Sequence, residues 1–335
     1  MYNLAIESSC DETSVAILEG SREILCNLIS TQIPVHQKFG GVVPEIASRK
    51  HLEAINHILS LAFAESGIGP EKIDLVSVTR GPGLVGALLV GISAAKAISF
   101  IRDIPIVGVN HMEGHICANY LAYPDLEPPF ITLVVSGGHT YLCRVDDYSH
   151  YRVLGATRDD AAGESFDKVS RCLGLGYPGG PRIQEAAEKG RSDAYAFPRA
   201  MRDEKDGYDF SFSGLKTAVI NQVHQLEQKG QEIPVSDIAA SFQEAVVDVL
   251  VEKSLALLRE SGLKTFCLSG GVAANGPLRE RLEAGCRSLK VRFCVPPLKL
   301  CTDNAAMIGC AGYYHFQERG ADSLDFRADP DLGLA

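Results

Sequence analysis

The chain has 335 residues, 46% of them apolar and 22% charged, which suffices for two lobes with their own cores and excludes a disordered chain. Thirty-two Lys and Arg against 42 Asp and Glu leave a net charge of −10. That balance excludes a general cationic coat for nucleic acid and confines any RNA contact to a local or shared patch.

In chain order, Leu4 to Ile6 and Ser14 to Leu18 read as strands joined by the polar turn Glu7 to Thr13. Leu4 begins so near Met1 that no signal or transit peptide fits, no apolar run approaches the ~20 residues that span a bilayer, and the expected compartment is the cytoplasm. Ile46 to Phe63, with apolar residues at 52, 55, 58, 59, 62 and 63, predicts an amphipathic helix with one face to bury, either in lobe packing or against a partner. A strand at Ile73–Thr79, a helix at Leu84–Phe100 and a strand at Ile104–Val109 continue an α/β alternation. Three prolines in Pro124–Pro129 mark a lobe boundary, giving lobes of 1–126 and 127–335. Beyond it, Phe130–Val135 and Tyr141–Val145 bracket Ser136-Gly137-Gly138-His139-Thr140. Thr265–Leu268 runs into Ser269-Gly270-Gly271 and the helix start Asn275-Gly276-Pro277. Strands that end in small or hydroxyl residues suggest a duplicated framework whose turns cradle an anion with backbone N–H groups. The stretch around 191–233 is polar and weakly periodic and reads as a surface insertion. Ile238–Leu258 is a long helix, Val291–Val295 a strand and Asn304–Phe316 a closing helix. The ten cysteines form no C-x-x-C pair, and Cys267, Cys294 and Cys310 lie in apolar runs, as buried thiols of a reducing compartment do.

Chemistry concentrates in His111-Met112-Glu113-Gly114-His115. Imidazoles four residues apart on a helix lie roughly 40° apart around its axis and can reach one metal ion. Glu113 is turned about 200° away, so the pair has no adjacent base of the H-E-x-x-H protease kind. Asp303, ahead of the closing helix, stands where a carboxylate from the other lobe would complete a His-His-Asp site, unless it serves as the helix cap. Gly81-Pro82-Gly83-Leu84-Val85-Gly86 matches G-x-G-x-x-G formally, but no ribose-binding acid follows the next strand and Pro82 lacks an N–H, so close helix packing is the better reading. Asp167, Gly179 and Gly180 form a glycine turn beside a carboxylate suited to sugar hydroxyls. Arg199, Arg202 and Lys205 are candidate phosphate contacts.

Together, Ile6 to Thr13, Gly40 to Glu45, His111 to His115, Val135 to Thr140, Ser211 to Thr217, Gly270 to Asn275 and Cys301 to Asn304 closely resemble the TsaD family, tRNA N6-adenosine threonylcarbamoyltransferases. The resemblance implies a two-lobed α/β fold of the actin-like, Hsp70-like and sugar-kinase-like (ASKHA) class with duplicated ribonuclease H-like subdomains. It implies transfer of a threonylcarbamoyl group from threonylcarbamoyl-AMP to N6 of adenosine 37 in tRNAs reading ANN codons, with release of AMP. Carried over position by position, it puts one divalent iron or zinc ion on His111, His115 and Asp303. Contacts to the bound adenylate, or an AMP- or ATP-like nucleotide, fall on Val134, Val135, Ser136, Gly137, Gly138, Asp167, Gly180 and Asn275. Asp11 and Glu12 match acidic residues required for activity. Gln184 stands where some members carry an acid, and the tail 325–335 departs from an aromatic ending. The implied partners are the tRNA anticodon loop, a TsaB-like paralogue and a TsaE-like ATPase in bacteria, or a second copy of the chain. The alternatives are an Hsp70-like or sugar-kinase-like ATPase and a metallopeptidase.

Overall fold

Strands buried on both faces are written as unbroken apolar runs, and such runs form the centre of each of two sheets. The computed structural model describes residues 1–334. Its first compact unit comprises 1–128, 145–151 and the chain from 296 onward; the second comprises 129–144 and 152–295.

In the first unit, β1 (Tyr2–Glu7), β2 (Glu12–Glu19), β3 (Glu23–Thr31), β4 (Ile73–Gly81) and β5 (Ile106–Asn110) lie in the order β3-β2-β1-β4-β5. The first three pair antiparallel, and β1, β4 and β5 pair parallel. A short helix, α1 (Ile33–His36), precedes α2 (Pro44–Ser66), which is followed after β4 by α3 (Val85–Arg102). Period-two alternation sorts the sheet's side chains: Leu4, Ile6, Val15 and Ile17 pack with Ile55, Ile58 and Leu88 of these helices, whereas Ala5, Ala16 and Leu18 meet Ala305 and Ala306. α3 is longer and more apolar than the sequence reading allowed, and by length and composition is the one described helix able to cross a membrane. One face of it packs on the sheet, with Gly91 against Ile6 and Ser8, while Val85, Leu89, Phe100 and Ile101 are exposed.

After β5 comes α4 (His111–Ala122). In the second unit β6 (Phe130–Val135), β7 (Thr140–Asp147) and β8 (His150–Ala156) are joined by β9 (Thr265–Ser269) and β10 (Arg292–Cys294) in the order β10-β9-β6-β7-β8. Counted along each unit, both sheets have the order 3-2-1-4-5, the duplication expected from the recurring strand ends. The helices of this unit are α5 (Ala162–Cys172), α6 (Gly179–Ala187), α7 (Ser213–Gln228), α8 (Val235–Ser261) and α9 (Gly276–Ser288). The chain then enters the first unit through α10 (Leu298–Cys301) and α11 (Ala305–Arg319).

Two expectations change. The sequence reading put all of 127–335 in one lobe, but residues from 296 onward belong with the N-terminal sheet, because α11 lies directly on it. A Cβ at Gly309 would stand 3.1 Å from Ala5 Cβ, and one at Gly312 would stand 2.6 Å from Ser77 Cβ. The polar stretch 191–233 is not simply a surface insertion. Phe197, Phe210 and Phe212 are buried, and α7 buries Leu215, Val219 and Val223, one narrow stripe at helical spacing that a mostly polar sequence hides. Asp159 accepts from the N–H groups of Phe212 (2.8 Å) and Ser213 (3.2 Å), capping α7 from a distant loop. Asp160 beside it receives Lys216 Nζ (2.5 Å) and Lys168 Nζ (3.1 Å).

Burial opposes ionisation of Asp160, but hydrogen bonds from Lys216 and Lys168 prevail and hold it below its ordinary value. A depressed carboxyl contributes stability that is present above its unfolded pKa and lost as pH falls through the folded one. Asp160→Asn is therefore expected to lower stability by about 1 kcal/mol at pH 7. In urea denaturation curves the deficit should shrink as pH falls below about 4 and disappear once the folded carboxyl is protonated.

Candidate metal centre

Asn110 ends β5 and caps α4, its Oδ1 accepting from Met112 N (2.8 Å). The cap starts the helix at His111 and puts His115 one turn on, with ring centroids 4.7 Å apart and rings at 79°. Asp303 lies in the link from α10 to α11. Its Oδ1 is 3.3 Å from Nε2 of each histidine, and one donor atom from each of the three residues lies within 4.8 Å of the others. The competition between capping and ligation does not arise, because the neighbouring Asn304 caps α11, its Oδ1 accepting from Met307 N (3.1 Å). Asp303 does not come from another lobe, as the sequence reading held, but from the unit that carries both histidines.

The donor set suits a divalent cation. His115 is 1% exposed; its Nδ1 has no hydrogen-bond partner among the described residues, and its Nε2 faces only the Asp303 oxygen at 3.3 Å. A buried imidazole left this way carries a desolvation penalty that an ion would relieve. Behind His111 stands Glu7, wholly buried, with Oε2 2.9 Å from His111 Nδ1 and accepting from Thr79 Oγ1 (2.5 Å), while Oε1 accepts from Ser9 N (2.5 Å). This carboxylate-histidine arrangement fixes the ring and directs Nε2 at the shared point. Burial opposes charge on His111, yet Glu7 and Asp303 raise its pKa well above the ordinary value. Asp303 is lowered against its own desolvation by the two imidazoles, and His115 is lowered by burial. Asp11 and Glu12 occupy the turn into β2. Burial first, then the charges of Asp11 and Asp303, push Glu12 up to about 10. Glu113 faces away from the pair and meets His315 Nε2 of α11 at 2.5 Å. Gly114 lets the two helices close, since a Cβ there would lie 2.7 Å from Ile308 Cδ1.

The residues expected to contact an adenylate lie in the second unit, at the ends of β6 and β9, in the middle of α5 and at the starts of α6 and α9. Val134 and Val135 are wholly buried, so their side chains belong to the core. Ser136 closes the β6–β7 turn, its N donating to His139 O (2.8 Å) and its Oγ accepting from His139 N (3.1 Å). Gly137, Gly138, Gly180 and Gly271 border open space, so no neighbour in the protein accounts for their lack of a side chain. Gly270 (φ 88°) needs the left-handed region and lies against the Val135 carbonyl. Asp167 Oδ1 accepts from Gly179 N (2.6 Å), which fixes it at the start of α6. Asn275 caps α9 through Leu278 N (3.0 Å) and donates to Gln243 Oε1 (2.8 Å), and Gln184 Oε1 accepts from Gly276 N (3.0 Å). The G-x-G-x-x-G stretch is filled by protein: a Cβ at Gly83 would lie 2.6 Å from Ser9 O, and one at Gly86 3.2 Å from Ser48 Cβ. Of the candidate phosphate contacts, Arg199 is bound to Asp248 through two nitrogens (3.0 and 2.8 Å), Arg202 pairs with Glu252 (2.5 Å) and Lys205 lies 3.5 Å from Asp203.

Comparison with known proteins bears on this geometry. The family model "TsaD: tRNA N6-adenosine threonylcarbamoyltransferase" matches residues 23–310. The chain belongs to the TsaD family. It is 55% identical over 334 residues to the tRNA N6-adenosine threonylcarbamoyltransferase of Clostridioides difficile, covering all of this chain and 98% of that one. It is 54% identical to that of Caldicellulosiruptor saccharolyticus over the same shares. The fold is of the actin-like class. Full-length HypF in its phosphate- and nucleotide-bound form superposes with a TM-score of 0.63 at 15% identity over 96% of this chain, which spans about half of HypF (47%). The activator of 2-hydroxyisocaproyl-CoA dehydratase from Clostridium difficile superposes with 0.53 at 13% identity over 95% of this chain and 96% of its own.

Within this TsaD chain, sequence reasoning missed Glu7, Ser9 and the caps Asn110 and Asn304. An asparagine directly before an apolar helix is a capping signal and would have found both caps. Nothing local marks Glu7, whose role comes from a contact 104 residues away. Asn304→Ala is expected to lower stability by about 1 kcal/mol in chemical denaturation. Asp303→Ala should leave that cap intact yet abolish stoichiometric Zn2+ binding in a chelator-competition titration.

Proposed function

We propose that the chain transfers the threonylcarbamoyl group of threonylcarbamoyl-AMP to N6 of adenosine 37 in tRNAs reading ANN codons, releasing AMP. The observation that carries this reading is the cluster of buried His111 and His115 with part-buried Asp303, in which Asp303 lies 3.3 Å from Nε2 of each histidine and is relieved of capping by Asn304. These residues would hold one divalent ion, iron or zinc, which when bound supplies Lewis-acid polarisation of a carbonyl. Glu7 holds the His111 ring in place; at the β1–β2 turn Asp11 is the candidate to take up the proton lost from N6, and Glu12, kept protonated by burial, is the candidate to donate one. Exposed Gly137 and Gly138 and part-buried Gly180 and Gly271, each with open space where a Cβ would stand, offer backbone to the adenylate. Asp167 and Asn275, both fixed by hydrogen bonds, shape that loop cluster. Attack by the amine on the carbamoyl carbon forms the C–N bond, breaks the bond to the phosphate oxygen and sends the electron pair out with AMP.

An unpaired anticodon-loop base can be splayed out and read on its edges, so the net charge of −10 does not oppose this substrate. A reaction on tRNA agrees with the cytoplasm. Leu52 and Leu61 on α2 and Val85, Leu89, Phe100 and Ile101 on α3 are exposed, which suits a protein partner such as a TsaB-like paralogue or a second copy of the chain; a TsaE-like ATPase would complete the bacterial set.

The test supplies threonylcarbamoyl-AMP and an anticodon stem-loop to the purified chain, with and without such partners, and measures modified adenosine by mass spectrometry. Loss of about 3 kcal/mol of carbonyl polarisation corresponds to a roughly 100-fold fall in rate for His115→Ala. Full transfer by His111→Ala/His115→Ala would refute the metal role. Steady ATP hydrolysis by the chain alone, indifferent to the histidines, would favour the ATPase reading instead.

A further inference from the structure

The segment after α11, from Asp322 to Leu334, is held largely through its backbone groups to the rest of the first unit. Asp322 N donates to Ile106 O (2.8 Å) and its Oδ2 accepts from Gly108 N (2.8 Å), laying the chain on β5. Lys96 Nζ donates to Phe326 O (2.5 Å) and lies 4.4 Å from the centre of that ring. Asp329 N donates to Arg80 O (2.9 Å), and Gly83 N donates to Pro330 O (3.1 Å). Asn110 Nδ2 donates to Leu332 O (3.3 Å) and Gly333 O (2.7 Å).

Two of these attachments end at the histidine pair. Asn110 is one planar amide with two tasks: its oxygen starts α4 through Met112 N, and its nitrogen is tied to the segment. Capping alone would be served as well by aspartate, but the amide of asparagine adds an NH2 donor beside the capping oxygen, which a carboxylate lacks. The second attachment is the turn that mimics a dinucleotide fingerprint. Gly81 has no side chain because the Asp329 carbonyl occupies that space, and Gly83 gives its N–H to Pro330. The next residue, Leu84, donates to Ser9 O (2.8 Å), and Ser9 Oγ is 3.2 Å from His111 Nδ1.

We propose that Asp329–Gly333 is a positioning strap for the His111 and His115 imidazoles, acting through Asn110 on the helix start and through the Gly83–Leu84 turn on Ser9. The inference rests on the metal reading of that pair and adds to it: the strap holds the two rings in one orientation before an ion arrives. Preorganisation of this kind shows in affinity, and removal of outer partners of metal-ligating histidines typically weakens binding about 10- to 100-fold.

Two variants attack the strap from its two sides. Asn110→Asp keeps the acceptor that caps α4 and removes the donor to Leu332 and Gly333. Gly81→Ala displaces the Asp329 carbonyl without touching α4. Each is titrated with Co2+ against a competing chelator, with the visible absorption of the bound ion recorded, beside the parent chain and His115→Ala. The expected result is one Co2+ bound by the parent, none by His115→Ala, and about 10- to 100-fold weaker binding with an altered absorption band in both strap variants, all with the parent's far-ultraviolet circular dichroism. Should Asn110→Asp fail to fold, Gly81→Ala carries the test. Parental affinity and spectrum in the folded strap variants would overturn the strap and leave the metal centre standing. A parent that binds no Co2+, or His115→Ala binding as the parent does, would overturn the metal reading and the strap with it.

Discussion

Two imidazoles and a carboxylate brought to one point, with a second carboxylate behind them, are stable only if their charges and lone pairs are answered. Glu7 and Asp303 answer His111, raising it well above its ordinary value, while His115 has, among the described residues, only the Asp303 oxygen at 3.3 Å from Nε2 and nothing at Nδ1. The energetic need at this point is for a cation. Much of the first unit follows from holding that geometry. α11 lies close on the sheet through Gly309 and Gly312, α4 lies close on α11 through Gly114, and the Glu113–His315 pair joins the two helices on the side away from the site. Each small residue removes the one or two ångströms that a side chain would add between ligands on different elements.

Division of labour between capping and ligation is the second constraint. An aspartate at a helix start usually bonds the first turn's N–H groups, which would occupy the oxygens that a metal needs. Here consecutive residues separate the tasks, Asn304 taking the helix and Asp303 the histidines. Asn110 repeats the device on α4, leaving His111 free to face Glu7. In the second unit Asn275 caps α9 and Asp167 holds the start of α6, beside glycines that border open space. Both units thus use fixed caps to aim whatever lies next to them.

The histidine pair was legible because four-residue spacing on a helix is a local property, and the repeated strand ends were legible because apolar runs stopping at glycine or serine are local too. β3 escaped notice, since only Cys26 among its nine residues is buried and an edge strand without alternation carries no period-two signal. α7 escaped notice for a related reason, its buried stripe being a single row of three residues within a polar segment. The G-x-G-x-x-G match illustrates the opposite error. Its glycines are required, but by the Asp329 carbonyl, Ser9 and Ser48 rather than by a pyrophosphate.

By itself, the sequence determined the α/β alternation, the metal-binding type of residue and its helical spacing, the anion-suited turns and, through the run of motifs from residue 6 to 304, the family. Only the tertiary structure decided that Asp303 belongs to the unit of the histidines, that Glu7 stands behind His111, and that the segment after α11 reaches Asn110. The reason is physical. Spacing along one element is written in side-chain types, whereas contacts across 100 to 300 residues run largely through backbone carbonyls and the absence of Cβ atoms, which every residue type or any glycine supplies alike.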